Sequence, residues 1–496
     1  MTDKPTRRRF VQDVSALLAA SALPLSAEAQ TVRRPARRVS ANDRVRVAVV
    51  GVRSQGLGHV RSYAGMDNVD VVAICDVDTA TWPNATKAVT DKGKPVPRTY
   101  QDVRKMLESD DIDAISTATP NHWHALVSIW AMQAGKDVYV EKPASHEMLE
   151  GRRMVQAARK YGRICQVGTQ SRSSPGLQEA MAFLHGGGIG KVHLARGLCY
   201  KRRMSIGQTT ASTPPPAGAD YNIWLGPAPE KPLHRKQLHY DWHWFWDYGN
   251  GDLGNQGIHE MDKARWGLGK SGLPSHVVSV GGRFGYEDDG ETPNTDIVFL
   301  DYGDSTIIFE VRGLVDNPAK PDPWRLFVDP APKGDVAVGN VFYGSKGIMV
   351  MPSYTNAVVY DLDGNRVKEF RGGGDHHANF IKAVHSRNRR DLNCDIEEGH
   401  RSAMLVHAGN ISYRLGEEAH FSKTLTGFRG GAEVEQALGR FEEHLSANGV
   451  SLAAGKYRIG RPLHMDARRE TFRGDAEADA LCTRPYRAPF IVPDRI

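Results

Sequence analysis

Apolar positions along this chain fall into two rhythms. Between residues 44 and 169, short and nearly continuous apolar runs alternate with longer stretches spaced three and four apart. Val45–Val50, Val69–Ile74 and Ile112–Ala118 are such runs, and further ones begin at Asp137 and Arg163. Runs without polar alternation suit strands buried on both faces of a parallel sheet. Helical spacing covers about 125–133, and Ser145 stands where it caps a helix running through Ala158. Repeated strand–helix units predict an α/β fold with a doubly wound parallel sheet. After Gln170 the rhythm changes. Strand-like runs occupy 191–203, 276–285, 293–301 and 305–312, and in the last of these Ile307, Phe309 and Val311 alternate with Ile308, Glu310 and Arg312. That alternation suits a strand facing a core on one side. It predicts a second, α+β domain over 170–430 with an open, mainly antiparallel sheet and helices near 375–388 and 397–415. A polar extension, 431–496, carries helical spacing at 433–445.

The start of the chain stands apart. Arg7-Arg8-Arg9-Phe10 is followed by an apolar run from Val14 to Leu25 and then by Ala27-Glu28-Ala29, the order of a secretory signal and its cleavage site. The paired arginines resemble a twin-arginine signal. The apolar run is too short for a stable membrane anchor, so residues 1–29 are expected to be a signal peptide, the mature protein periplasmic, and residues 30–43 a flexible lead. Composition narrows the partners. The formal charge is +6, but Arg33, Arg34, Arg37 and Arg38 crowd one short stretch rather than a folded face, so nucleic acid is not an expected partner. Five cysteines form no C-x-x-C pair, and His122/His124 and His376/His377 give no tetrahedral spacing; no metal site is expected.

Chemistry begins where the first strand ends. Gly51-Val52-Arg53-Ser54-Gln55-Gly56 follows Val50 directly, a helical stretch comes next, and the second strand ends at Asp76. This is the order of a dinucleotide fingerprint. Gly51 permits the tight turn, Gly56 lets the helix approach the strand, the helix N-terminus receives a pyrophosphate, and Asp76 accepts the ribose hydroxyls. The middle glycine of the usual pattern is replaced by Arg53. Asp76 favours NAD, since a carboxylate repels a 2′-phosphate; Arg53 keeps NADP open, since guanidinium binds phosphate.

Ligands of such sheets lie beyond the carboxyl ends of the strands, and Asn121, His122 and Lys142 fall there. A buried lysine beside a cationic ring loses its proton easily and can take one from an alcohol. Together, the glycine turn, Asn121-His122-Trp123-His124, Glu141-Lys142-Pro143 and the later block Gly251-Asp252-Leu253-Gly254-Asn255-Gln256-Gly257-Ile258-His259-Glu260-Met261-Asp262 resemble the glucose–fructose oxidoreductase/inositol dehydrogenase (Gfo/Idh/MocA) family, over roughly residues 44–420. The resemblance implies a Rossmann domain with a tightly held nicotinamide nucleotide, a second domain used for substrate and oligomer contacts, and hydride transfer on a sugar or polyol. It places Lys142 and His259 in the acid–base pair, with Asn255 where the family has aspartate. Asn255 keeps a hydrogen-bonding role but accepts no proton. Residues 255, 259 and 262 are spaced to share a helix face.

On the same resemblance the nucleotide is held by Gly51, Arg53, Ser54, Gln55, Gly56, Asp76, Thr119, Asn121, His124, Glu141, Lys142 and Gln170. The substrate meets Lys142, Asn255 and His259. Trp244 and Trp246, in an aromatic run from Tyr240, either stack on the sugar or fill a core. Two other functions fit the same residues. One is NAD-dependent glycoside hydrolysis by transient oxidation, elimination and re-reduction. The other is a non-catalytic sugar-binding protein, supported by Arg53 and Asn255 alone.

Overall fold

The computed structural model describes residues 39–40, 43–314, 337–421 and 431–496. The expected signal peptide, 1–29, lies outside the described residues, as does most of the lead over 30–43.

The first sheet has six parallel strands: β1 (Val45–Val50), β2 (Val69–Cys75), β3 (Arg98–Tyr100), β4 (Ala114–Thr117), β5 (Asp137–Val140) and β6 (Cys165–Val167). Their spatial order is β3-β2-β1-β4-β5-β6. The order reverses between β1 and β4, and a crevice opens outside the carboxyl ends at such a point. β4 and β5 are buried along their whole length, which is why their sequences show no alternation. β3 left no such pattern, because Arg-Thr-Tyr is short, polar and partly exposed. Two helix starts differ from the sequence reading. The helix Asn121–Gln133 begins four residues before Ala125, and its polar first turn is buried along with the rest. In the next helix, Met148–Lys160, the cap is Glu147, paired with Glu150 in a capping box. Ser145 instead donates to the Glu147 carbonyl at 2.9 Å.

The second sheet is mixed and mostly antiparallel. Its strands are β7 (Val192–Tyr200), β8 (His276–Gly282), β9 (Thr295–Asp301), β10 (Thr306–Arg312), β11 (Ala337–Gly344), β12 (Ile348–Met351), β13 (Asn356–Tyr360), β14 (Arg366–Arg371), β15 (Glu417–His420) and β16 (Lys456–Ile459), with β17 (Leu463–Asp466) branching from β8 and pairing with β18 (Thr471–Phe472). They lie in the order β14-β13-β12-β11-β7-β10-β9-β8-β16-β15. β7 and β10 run parallel. The alternation in β10 is real: Ile307, Phe309 and Val311 enter one core, and Ile308 another. The opposite face is not left to solvent, however. Helix Ala432–Ala447 covers it with Val434, Leu438, Phe441 and Leu445. Glu310, which reads as a solvent-facing charge, is buried against Arg196, Arg312 and Arg440. Three guanidiniums hold its carboxyl well below the carboxylate range despite burial. The tail residues after 430 thus belong to the sheet's packing. Farther on, Phe490 sets its edge against Trp123 at 5.5 Å, and Arg487 donates to the Gly226 carbonyl at 3.1 Å.

No helix among the described residues is long and apolar enough to cross a membrane.

Candidate active site

β1 ends in a turn that only special backbone can make. Gly51 has φ of 75° and Ser54 of 45°. A Cβ on Gly51 would sit 3.0 Å from the Ala118 carbonyl and the Thr119 nitrogen, and one on Gly56 would lie 1.6 Å from the Gly51 oxygen. Both positions therefore need glycine. The helix Gln55–Ala64 starts here with no side-chain cap from Ser54. Asp76, just past β2, accepts the Val52 N–H at 2.8 Å and the Asp78 N–H at 3.0 Å. It ties the turn to the neighbouring strand, and burial raises its carboxyl's pKa.

The turn opens onto a cavity of about 420 Å³ lined by Gly51, Arg53, Ser54, Gln55, Asp76, Thr119, Asn121, His124, Glu141, Lys142 and Asn255, among others. An uncapped helix start, a glycine that brings backbone to the cavity and a carboxylate at the next strand end fit a dinucleotide. Two expected contacts are placed differently. Gly56 packs under the turn instead of lining the cavity. Gln170 is not among the lining residues; it donates to Glu141 at 2.9 Å and braces that carboxylate. His124 lines the cavity, but its ring nitrogens lie 2.7 Å from the Pro143 carbonyl and 2.8 Å from that of Thr119; it brackets two strand ends.

Glu141 is a hub. Its carboxylate also receives Gln55 at 3.2 Å, faces His59 at 3.1 Å and accepts the Lys142 backbone N–H at 3.2 Å. Burial pushes this carboxyl's pKa up, but the His59 hydrogen bond and the nearby positive charges win and hold it far below the usual range. Lys142 follows, joined to Pro143 by a cis peptide bond. Its Nζ donates to the Asn255 carbonyl at 2.8 Å. Burial lowers the amine's pKa. Glu141 pulls it back up, while Lys201 and Arg203 push it further down, and the net direction is down.

The block at 251–262 is not one helix. Gly251–Asn255 ends, Gln256 breaks the ladder, and Gly257–Gly267 begins again. Residues 255, 259 and 262 therefore do not lie on one continuous helix. The break leaves the Asn255 carbonyl without a helical partner and hands it to Lys142. His259 lies beside Lys142, with its ring 4.9 Å from that of Tyr354 and its Nδ1 without a hydrogen-bond partner among the described residues. Burial first, then the Lys142 charge, lowers the imidazole pKa to about 3, so it is neutral at neutral pH. Asp262 turns away, to Arg172 at 2.8 Å through both oxygens.

The opposite wall carries Lys201, Arg203, Tyr240, Trp242, His243 and Gln256. Trp244 and Trp246 are not on it. The 3-10 turn Asp241–Trp244 runs into a segment pinned to residues 291–292, with the Trp246 N–H donated to Glu291 at 2.7 Å and the Trp244 carbonyl accepting from the Glu291 N–H at 2.8 Å. Trp246 consequently packs under Arg414, and Trp244 is buried beneath Arg203. Within the aromatic run, the indole that lines the cavity is that of Trp242, stacked on His243 at 3.7 Å. Sequence reasoning missed Lys201, Arg203, Gln256 and Tyr354. The basic run after β7 was visible; Tyr354, in the connection between β12 and β13, left no pattern.

Comparison with known proteins accords with this geometry. Residues 45–169 match the oxidoreductase family, NAD-binding Rossmann fold, and residues 189–310 its C-terminal alpha/beta domain, both of the Gfo/Idh/MocA type. A glycosyl hydrolase family 109 protein of Shewanella pealeana is 33% identical over 176 residues, which cover 33% of this chain and 39% of that protein. Its counterpart in Saccharopolyspora erythraea is 32% identical over 161 residues, 32% of this chain and 35% of that protein. The chain thus spans under half the length of the curated relatives it matches. Among solved structures, levoglucosan dehydrogenase in complex with NADH superposes with a TM-score of 0.55 at 17% identity, covering 74% of this chain and 96% of that one. The WlbA dehydrogenase of Bordetella pertussis, in complex with NADH and UDP-GlcNAcA, gives 0.51 at 21%, covering 74% and 95%. At these identities the likeness is one of fold.

Proposed function

From a chain that carries both the NAD-binding and the C-terminal domain of the Gfo/Idh/MocA oxidoreductases, we propose an NAD-dependent oxidoreductase that acts on a hydroxyl of a sugar, sugar derivative or polyol. The observation that carries this reading is Lys142. It is an amine with a lowered pKa at the carboxyl end of β5, in the same cavity as the glycine turn and beside a neutral His259.

A bound nicotinamide nucleotide supplies the hydride acceptor or donor. The chain does the rest. The Gly51–Gln55 turn and the helix start bind the phosphates. Glu141, pinned by Gln55, His59 and Gln170, fixes the backbone at Lys142. The neutral Lys142 amine accepts the proton of the substrate hydroxyl, and His259 orients that hydroxyl through its ring N–H or lone pair. Asn255 holds Lys142 through its backbone carbonyl, a role its side-chain identity does not alter.

Asp76 supports NAD over NADP, and Arg53, exposed at the cavity mouth, does not offset it. Asp76→Ala should lower NAD affinity about tenfold and erase discrimination against NADP, since the change removes roughly 1–2 kcal/mol of hydrogen bonding and the like-charge repulsion. Fluorescence titration with both reduced nucleotides reads this; unchanged selectivity would remove Asp76 from cofactor choice.

A second reading, redox-assisted glycoside hydrolysis, is favoured by the names of the curated relatives. The two separate in one experiment. Protein is denatured to identify any co-purified nucleotide, and native protein is then given free sugars and aryl glycosides while reduced-nicotinamide absorbance and aglycone are followed. Net reduction supports the dehydrogenase; aglycone release without net reduction supports the hydrolase; neither, with no nucleotide bound, defeats both. The proposal includes twin-arginine export, on the residues before Ala29, and self-association through the larger sheet.

A further inference from the structure

Asn255 and Gln256, consecutive residues at the helix break, each hold an amine. The Asn255 carbonyl accepts from Lys142, and Gln256 Oε1 accepts from Lys201 at 3.1 Å. Both amines line the cavity, and the Lys201 charge acts on the Lys142 amine. A substrate with its reacting hydroxyl at Lys142 therefore carries a neighbouring substituent toward Lys201.

Lys201 differs from the other cations on this wall. Arg203 is committed, its guanidinium bonded to Asp252 at 2.7 to 3.0 Å and to the Tyr240 hydroxyl at 3.0 Å. His239 faces Asp78 at 2.7 Å. Lys201 bonds only a neutral amide among the described residues, and that amide is fixed in turn by the Tyr354 hydroxyl at 2.6 Å and by Glu260 at 3.4 Å, a carboxylate already paired with Lys263 and absent from the cavity lining. The wall made by Lys201, Arg203, Tyr240, Trp242 and His243 contributes no carboxylate. The two carboxylates that line the cavity, Asp76 and Glu141, stand on the nucleotide domain and are already bonded. A partly buried ammonium whose one side-chain bond is to a neutral amide gains from a carboxylate that bonds it directly.

Resting on the reading that Lys142 marks the reacting hydroxyl, we propose that Lys201 receives a carboxylate of the substrate, so that the substrate is an acidic sugar rather than a neutral one. One ammonium matches one negative charge. A phosphate monoester would bring nearly two, and the remaining guanidinium on this wall is occupied by Asp252.

The test compares uronic acids with their neutral parent sugars, glucuronate with glucose and galacturonate with galactose. Binding to the protein saturated with reduced nucleotide is measured by calorimetry, for the wild type and for Lys201→Gln. The wild type should bind at least one acid tighter than its parent by about tenfold to a hundredfold, the scale of a hydrogen bond between charged groups, and Lys201→Gln should bring that ratio to near one. Equal affinity for acid and parent in the wild type, no binding of either acid, or a preference that survives Lys201→Gln would each overturn it. Turnover followed in parallel distinguishes the two layers. A Lys201-dependent preference for acids with no hydride transfer would sink the dehydrogenase reading and leave the carboxylate site standing.

Discussion

Lys142→Ala is expected to lower kcat for alcohol oxidation by about 10²–10⁴-fold, the usual contribution of a positioned acid–base group, while nucleotide affinity changes no more than a few-fold. The asymmetry follows from the geometry. On the proposed reading the 51–55 turn and Asp76 hold the nucleotide, whereas the Lys142 amine makes its bond to the Asn255 carbonyl. Lys142→Arg sharpens the test, because guanidinium keeps the positive charge but does not lose its proton. That variant should bind nucleotide and remain inactive at every pH. In the wild type only the neutral amine accepts a proton. Burial, Lys201 and Arg203 favour that form against the pull of Glu141 and Glu260, so the oxidation rate should climb with pH and level off below the pKa of about 10.4 of a free lysine. His259, neutral throughout that range, adds no second limb near neutrality. A calorimetric nucleotide titration beside steady-state rates decides the matter. Near-normal rates in Lys142→Ala would take the amine out of the mechanism.

Much of this was legible from residue order, for physical reasons that differ by element. The parallel sheet announced itself because strands buried on both faces have no polar positions to interrupt them, and the glycine turn because Gly51 and Gly56 stand where backbone must meet backbone. The antiparallel sheet showed in the alternation of β10. What stayed hidden depends on burial of polar groups. Glu310 looked like a surface charge because two of the three arginines that neutralise it, Arg196 and Arg440, come from distant segments. The first turn of Asn121–Gln133 looked like loop because its polar side chains bond outside the helix, Asn121 to Asn250, His122 to the Trp224 carbonyl and His124 to those of Pro143 and Thr119. The helix break at Gln256 follows no propensity rule, yet it frees the Asn255 carbonyl for Lys142. Trp246 belonged to the right sequence run but the wrong side of it, since the tie to Glu291 set the direction of its ring.

Asp262→Ala should cost about 3–5 kcal/mol of stability, the scale of leaving one member of a buried ion pair alone. Asp262 is 0% exposed and Arg172 7%. The pair is bidentate, and Ser402 donates a further bond at 2.6 Å while accepting from Arg265 at 2.9 Å. These groups join the end of the nucleotide domain to the helix Gly257–Gly267 and to the helix Ile396–Arg414, so the loss is expected in the unfolding free energy and only secondarily in rate, through the seat of His259. Burial pushes the Asp262 carboxyl up, but Arg172 outweighs it and holds the pKa below its unfolded value. The stabilisation is therefore fully present above the unfolded pKa of about 3.9 and disappears as pH falls through the lower, folded value. Denaturant titrations should show the gap between wild type and Asp262→Ala wide at neutral pH and closing in strong acid. Replacing both partners, Arg172→Met with Asp262→Leu, should recover much of the loss, because no orphaned charge remains. The opposite pattern, full stability with a thousandfold drop in rate, would mean that Asp262 acts in the chemistry and that its spacing from His259 told more than its place in the fold.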